Sequence, residues 1–270
     1  MGILKIGLIG CGSIGTTLAN YIDKAGGLKL LCVYDADSDQ SRILSKSLES
    51  RPRIAKSPAD MSVCDLVIEA ASQEAVQDYA LEILGHSDLM MMSVGALSDS
   101  SLFNKIKKKA EETGRHVYIP SGAIAGLDAI KAASMAKIEK ATLTTRKPPL
   151  SLEDAPYVIK KNMSMRSIRK PTLIFEGTAK EAAEGFPKNI NVSVSLSLAG
   201  IGVEKTRVKI IADPFTDRNV HEIEVEGSFG KVTTRAENVT MPKNQKTSYL
   251  AALSAMAILE GLRQNVRIGT

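Results

Sequence analysis

The chain has 270 residues, 44% of them apolar, and 35 Lys and Arg against 30 Asp and Glu give a net charge of +5. That apolar share is enough for one large or two modest packed domains, while the lack of Trp and an aromatic content of 4% exclude a site built from stacking rings for carbohydrate or single-stranded nucleic acid. Cations and acids are interspersed, no apolar run approaches the roughly eighteen residues of a membrane span, and no charged leader precedes an apolar stretch, so a cytoplasmic protein with no nucleic-acid or membrane partner is expected.

The run Ile3 to Ile9 predicts a strand that leads into Gly10-Cys11-Gly12-Ser13-Ile14-Gly15 and a helix beginning near Ser13. This is a dinucleotide-binding fingerprint in its proper context. Gly10 makes the tight turn, Gly12 lets backbone approach a pyrophosphate, and Gly15 allows close packing of helix on strand. The N–H groups around Ser13 and Ile14, with the positive end of the helix, suit the phosphates. Leu28 to Tyr34 predicts the second strand, ending at Asp35. A carboxylate there accepts hydrogen bonds from an adenosine ribose and repels a 2′-phosphate. NAD is therefore the favoured cofactor, with Arg42 close enough in sequence to keep NADP open.

Beyond Asp35 the chain alternates. A helix is expected near Ser38 to Leu48, a strand over Asp65 to Glu69, a helix near Gln73 to Leu84 and a strand over Leu89 to Val94. A helix from Asp99 to Glu112, with Lys105-Ile106-Lys107-Lys108-Lys109 on its solvated face, and a strand His116 to Pro120 complete the series. Such alternation implies right-handed crossovers and a parallel sheet. Ligands bind at the carboxyl ends of such strands, where two loops of small residues occur, Glu69-Ala70-Ala71-Ser72 and Pro120 to Asp128. Ala70 and Ala71 let backbone lie against a flat ring, although tight turns and helix starts select the same residues.

From about Lys137 the character changes to Thr-rich, basic segments with Pro148-Pro149, then Leu173-Ile174-Phe175, then strands over Val203 to Ile211 and Val220 to Thr234. His221, Ile223 and Val225 alternate with Glu222, Glu224 and Glu226, the pattern of an antiparallel strand with one wet face. Asn191 to Leu198 has the period of a strand, in competition with a helix begun at an asparagine. Thr247 or Ser248 is read as the cap of a helix over Tyr249 to Leu262 that packs back on the nucleotide domain. The expected fold class is α/β: a Rossmann-type parallel sheet at 1–120, with the terminal segment 247–270 against it, and an α+β substrate and dimerisation domain at 121–246.

Of three histidines, His86 sits in a Gly-His-Ser turn and His116 precedes an apolar strand, whereas His221 lies between a polar turn and a strand in the second half. An imidazole is suited to proton transfer near neutral pH, and His221 is the candidate catalytic base. Cys11, Cys32 and Cys64 lack CxxC spacing and read as reduced core thiols, with Cys11 in the glycine loop open to oxidation. No HExxH and no paired His and Cys spacing occur, so no metal is expected.

The glycine loop, Ser121-Gly122-Ala123-Ile124-Ala125-Gly126-Leu127-Asp128-Ala129, Phe186-Pro187-Lys188-Asn189-Ile190-Asn191-Val192, Asp213-Pro214 followed by Asn219-Val220-His221-Glu222-Ile223, and Asn244-Gln245-Lys246-Thr247-Ser248 together make the chain resemble the L-aspartate dehydrogenases nearly end to end. The resemblance implies a nucleotide-binding domain followed by an α+β domain, usually in a homodimer. It implies NAD(P)-dependent oxidation of L-aspartate to iminoaspartate, which hydrolyses to oxaloacetate and ammonia or feeds NAD biosynthesis. It also implies a helix start at Asn191, overruling the strand periodicity, and places the catalytic histidine at His221 and dinucleotide contacts at Ala125 and Asn191. The family commonly has Pro where Gln245 stands. The two carboxylates of aspartate need cationic or N–H donors, for which Asn189, Lys246 and Thr247 are candidates, with Lys188 and Ser248 beside them. Two rival readings stay open: a related two-domain dehydrogenase or reductase of another small acid, and a module that senses NAD(H) without turnover.

Overall fold

The computed structural model describes residues 2–187, 190–241, 244–266 and 268–269, with the side chains of 244–246 outside that description. The chain divides into two compact units, Met1–Pro120 with Ala252–Val266, and Ser121–Ala251 with the last few residues.

In the first unit the elements are β1 (Leu4–Ile9), α1 (Ser13–Lys24), β2 (Leu28–Tyr34), α2 (Ser38–Ser47), β3 (Arg53–Ile54), β4 (Leu66–Glu69), α3 (Gln73–Ile83), β5 (Asp88–Met91), α4 (Ser100–Thr113) and β6 (Val117–Tyr118). The strands form one parallel sheet in the order β3-β2-β1-β4-β5-β6, the order of a doubly wound dinucleotide-binding fold. Strands covered on both faces read as continuous apolar runs, and β4 is buried along its whole length. The helices start where side chains satisfy orphan N–H groups: Asp37 accepts from Asp39 N, Ser72 from Ala75 N and Asp99 from Ser101 N. Gly114, at φ +66°, ends α4 in the left-handed conformation that glycine adopts without strain. Ile6, Leu8, Leu30, Val33 and Ile68 pack with Leu18 and Ile22 of α1, and Ala255 and Leu259 of the last helix share that core.

The second unit contains α5 (Leu127–Ala133), β7 (Ile138–Lys147), α6 (Pro156–Lys160), β8 (Thr172–Thr178), α7 (Ala179–Gly185), α8 (Asn191–Ala199), β9 (Arg207–Ala212), β10 (Asn219–Gly227), β11 (Gly230–Asn238), β12 (Thr240–Met241) and β13 (Asn244–Ser248), after which α9 (Tyr249–Gly261) begins. Its sheet runs β11-β10-β7-β9-β8, antiparallel except for the parallel β7–β9 pair. One face carries charges that pair across strands, such as Lys231 with Glu224 at 2.7 Å and Lys140 with Glu224 at 3.6 Å. On the other face Ala141, Leu143, Ile223 and Val225 pack against Val192 and Leu196 of α8.

Several local expectations are corrected. β5 stops at Met91, and Val94–Ser98 forms a 3₁₀ turn in place of further strand. β9 starts at Arg207, because Thr206 N turns back to Gly202 O. Thr247 and Ser248 also end β13, where Ser248 pairs with Thr240 in a short hairpin, and Ser248 immediately precedes α9. The alternation over Asn191 to Leu198 is carried by a helix, as the resemblance implied. Val192 through Ser197 are all buried there, so no face faces water and period carries no information. The serines are housed by back-bonding along the helix, Ser193 Oγ to Ile190 O and Ser197 Oγ to Ser193 O. Among the described residues no helix is long and apolar enough to cross a membrane.

Candidate active site

The nucleotide half is built on the turn from β1 into α1. Gly10 stands at φ +94°, and a Cβ there would lie 2.5 Å from Ala70 O; a Cβ at Gly15 would lie 1.8 Å from Gly10 O. Only glycine fits either position, and Gly10 is thereby pressed against the Ala70-Ala71 segment. Gly12 is different, because a Cβ added there meets nothing within 4 Å. Gly12 is also the N-cap of α1, no side chain caps the helix, and its first turn holds no acid. The amides at Ser13, Ile14 and Gly15 thus form a positive helix end with no acid in its own first turn. These features fit a pyrophosphate, which needs close backbone approach and N–H donors.

Asp35, at the carboxyl end of β2, is oriented by two amides: Cys11 N donates to Oδ2 at 2.7 Å and Asp37 N to Oδ1 at 2.9 Å. The carboxylate is thereby tied to the glycine loop. Arg42 is paired with Asp39 one turn away at 2.5 Å, which engages the cation that would favour a 2′-phosphate. Cys11 is buried, and burial pushes its thiol up to about 11 against the opposing effect of its hydrogen bond to Ser41 Oγ. Since the thiolate is the reactive form, the loop cysteine is inert rather than oxidisable.

Glu69, which ends β4, is 1% exposed. Its Oε1 accepts from Ala71 N and Ser93 Oγ, both at 2.8 Å, and its Oε2 accepts from Ser93 N at 3.0 Å. Burial pushes its carboxyl above the usual carboxylate range, while the Ser93, Ala71 and Ser72 donors pull the other way. One buried side chain thus staples the loops that follow β4 and β5. An acid closing the apolar run Leu66-Val67-Ile68 is the sequence signal that could have singled it out.

In the second unit His221 sits on β10 opposite Thr145 of β7. Its Nδ1 lies 3.0 Å from Thr145 Oγ1, and the ring is 4% exposed. Burial first, and then the nearby Lys147 charge, push its pKa down to about 3, so the imidazole is neutral across the physiological range. Asn219, two residues before it on the same face, donates from Nδ2 to Ser248 Oγ at 3.1 Å. Asn238 of β11 donates to Ala123 O at 2.9 Å and to Asn219 O at 3.2 Å, tying the Ser121–Gly126 loop to the strand end. Ala125 is exposed at the tip of that loop, and its carbonyl accepts from Thr234 Oγ1 at 3.0 Å. Asn191 is exposed at the start of α8.

Thr247 is half-buried on β13, and Lys246 belongs to the same strand with its side chain outside the described residues, as Asn189 is entirely. His86 Nδ1 lies 2.8 Å from Ser87 Oγ, and His116 is exposed 3.6 Å from Asp88. Among the described residues no group of three or more His, Cys, Asp or Glu is placed to hold a metal ion. Thr145, Lys147 and Asn219 were missed from sequence. Their signal was the two-residue period of a strand, which puts Ala141, Leu143, Thr145 and Lys147 on one face of β7.

Residues 128–262 match the family profile described as aspartate dehydrogenase, C-terminal, and residues 10–120 match that of the homoserine dehydrogenase NAD-binding domain. The L-aspartate dehydrogenase of Methanococcoides burtonii is 47% identical, covering 99% of this chain and 100% of that protein. The L-aspartate dehydrogenase of Nitrosopumilus maritimus is 44% identical, covering 98% and 99%. The crystal structure of aspartate dehydrogenase from Thermotoga maritima superposes with a TM-score of 0.78 at 27% identity, over 98% of this chain and 99% of that one.

Proposed function

The chain belongs to the L-aspartate dehydrogenase family, and from that premise we propose that it oxidises L-aspartate to iminoaspartate with NAD, the imine then hydrolysing to oxaloacetate and ammonia or feeding NAD biosynthesis. The first unit holds the dinucleotide through Gly10, Gly12, Ser13, Ile14, Gly15, Ala70 and Ala71. Asp35 holds the adenosine ribose and favours NAD over NADP. Ala125 and Asn191 contribute further dinucleotide contacts. When bound, the nicotinamide supplies a hydride acceptor; every other requirement falls on side chains.

The amine of the amino acid must be neutral for its lone pair to drive hydride departure from Cα, and a water must be activated to open the imine. His221 performs both proton transfers, and Thr145 fixes the ring through Nδ1, leaving Nε2 as the working nitrogen. A base whose conjugate acid has a pKa of about 3 is weak in the free protein. A bound dicarboxylate changes that, because two negative charges beside the ring raise its proton affinity. The base is therefore activated by the substrate it serves.

The observation that carries this reading is a neutral, buried His221, fixed by a threonine, in a chain whose glycine loop is open above Gly12. The test is NADH formation from NAD at mildly alkaline pH with L-aspartate, D-aspartate, L-glutamate and L-homoserine. Turnover confined to L-aspartate is expected. NADH binding without turnover on any of the four would return the chain to a sensor, and turnover with L-homoserine would make it another small-acid dehydrogenase.

A further inference from the structure

Lys147 is a lysine in an unusual place. It ends β7 on the face that also carries Ala141, Leu143 and Thr145, and it is 4% exposed. A buried ammonium is costly to desolvate and persists where it has a role or a partner. The register gives its neighbours. Thr145 pairs with His221 and Arg146 with Val220, so the next step along the two antiparallel strands sets Lys147 beside Asn219, on the same face as Thr145 and His221. Arg146 and Glu222 belong to the opposite face, where they lie 4.0 Å apart.

Asn219 adds a second, independent observation. It is 1% exposed, its Nδ2 is used by Ser248, and its Oδ1 accepts from no described residue. A buried acceptor with no donor is costly and rare enough to need an explanation. A donor arriving with a ligand supplies one. The four side chains thus combine a proton acceptor, a cation and an unused hydrogen-bond acceptor on one strand pair, all within the second unit.

We propose that Lys147 and Asn219 recognise the amino-acid substrate: the Lys147 ammonium binds one of its carboxylates and the Asn219 Oδ1 accepts from its amino group, next to His221. The proposal rests on the reading that the substrate is L-aspartate. An α-amino dicarboxylate presents a carboxylate and an N–H donor on one carbon, which is the complement of this pair. Lys147 has a second effect through its charge. Of the described groups around the ring, namely Thr145 and Lys147 on β7, Asn219 on β10, Asn238 on β11 and Ser248 on β13, Lys147 is the charged one, and it opposes protonation of His221. The substrate carboxylate that it binds relieves this opposition.

The experiment measures steady-state kinetics with L-aspartate, NADH affinity by fluorescence, and thermal unfolding for the wild type, Lys147→Met, Lys147→Arg and Asn219→Ala. Wild-type turnover establishes the substrate, independently of the variants. Given that turnover, Lys147→Met is expected to raise KM roughly ten- to hundred-fold, the loss of a buried charge-assisted contact. Its NADH affinity should stay within about twofold, and the acid limb of kcat/KM should move to higher pH because His221 gains proton affinity. Lys147→Arg should recover most of the loss. Asn219→Ala should raise KM about tenfold with NADH affinity retained. An unchanged KM in either variant overturns the assignment of that residue. An equal loss of NADH affinity, or an acid limb that stays fixed in Lys147→Met, overturns the recognition role in favour of a structural one.

Discussion

The depressed proton affinity of His221 has a consequence for folding that can be measured without substrate. An unfolded chain titrates histidine near its ordinary value of 6.5, whereas the folded chain holds His221 neutral down to about 3. Above pH 6.5 neither state binds the proton and the group contributes nothing to the pH dependence. Below it the unfolded state takes up a proton that the folded state refuses, so stability falls as pH falls, by about 1.36 kcal/mol per pH unit, and the loss levels off near pH 3. Between pH 7 and pH 5 the wild type should therefore lose about 2 kcal/mol through this one residue. His221→Gln keeps a polar side chain without a proton to titrate. Urea unfolding of both proteins at the two pH values, followed by circular dichroism, isolates the effect as a difference of differences. Stability curves that stay parallel between pH 7 and pH 5 would refute the reasoning, since they would mean that the ring protonates as easily in the folded chain as in the unfolded one.

Four further outcomes concern the nucleotide half. Gly12→Ala, at φ −73° and with open space around the new Cβ, should unfold within about 1 kcal/mol of the wild type yet bind NADH more than about tenfold more weakly by fluorescence titration, because the methyl group occupies the phosphate approach. Gly15→Ala places its Cβ 1.8 Å from Gly10 O and should lower the unfolding temperature sharply or prevent folding. Glu69→Ala strands the Ala71 and Ser93 amides and should cost about 3 kcal/mol or more in denaturant unfolding, at roughly 1–3 kcal/mol for each buried unsatisfied group, with weaker NADH binding besides. Asp35→Ser removes the charge that opposes a 2′-phosphate and should shift the NADP-to-NAD ratio of kcat/KM by about tenfold or more toward NADP.

The nucleotide half was legible because its signals are local. β1 and the glycine loop are contiguous, Asp35 closes the next apolar run, and the polar residues Asp37, Ser72 and Asp99 mark helix starts beside their own helices. β3 was missed because it is two exposed residues with no pattern to show. The second half was less legible, because its site is made by pairing distant strands. Thr145 meets His221 across 76 residues of sequence, and within Thr144-Thr145-Arg146-Lys147-Pro148 the lysine looks like any surface cation until the register turns it inward. Asn219 could be seen as a motif residue but not as a buried acceptor. α8 was misleading on periodicity alone, since its serines bond to their own helix and need no wet face. The asparagine at its start left a helix as the competing reading, and the resemblance decided for it.

The most direct measurement takes wild type and His221→Ala from parallel preparations and records, for each, equilibrium NADH binding and L-aspartate-dependent reduction of NAD. The account predicts that the variant binds NADH as the wild type does, because the glycine loop, Asp35 and Glu69 are untouched, while turnover falls by about a hundredfold or more, the usual cost of losing a general base. Undiminished turnover in His221→Ala would contradict the account at its centre.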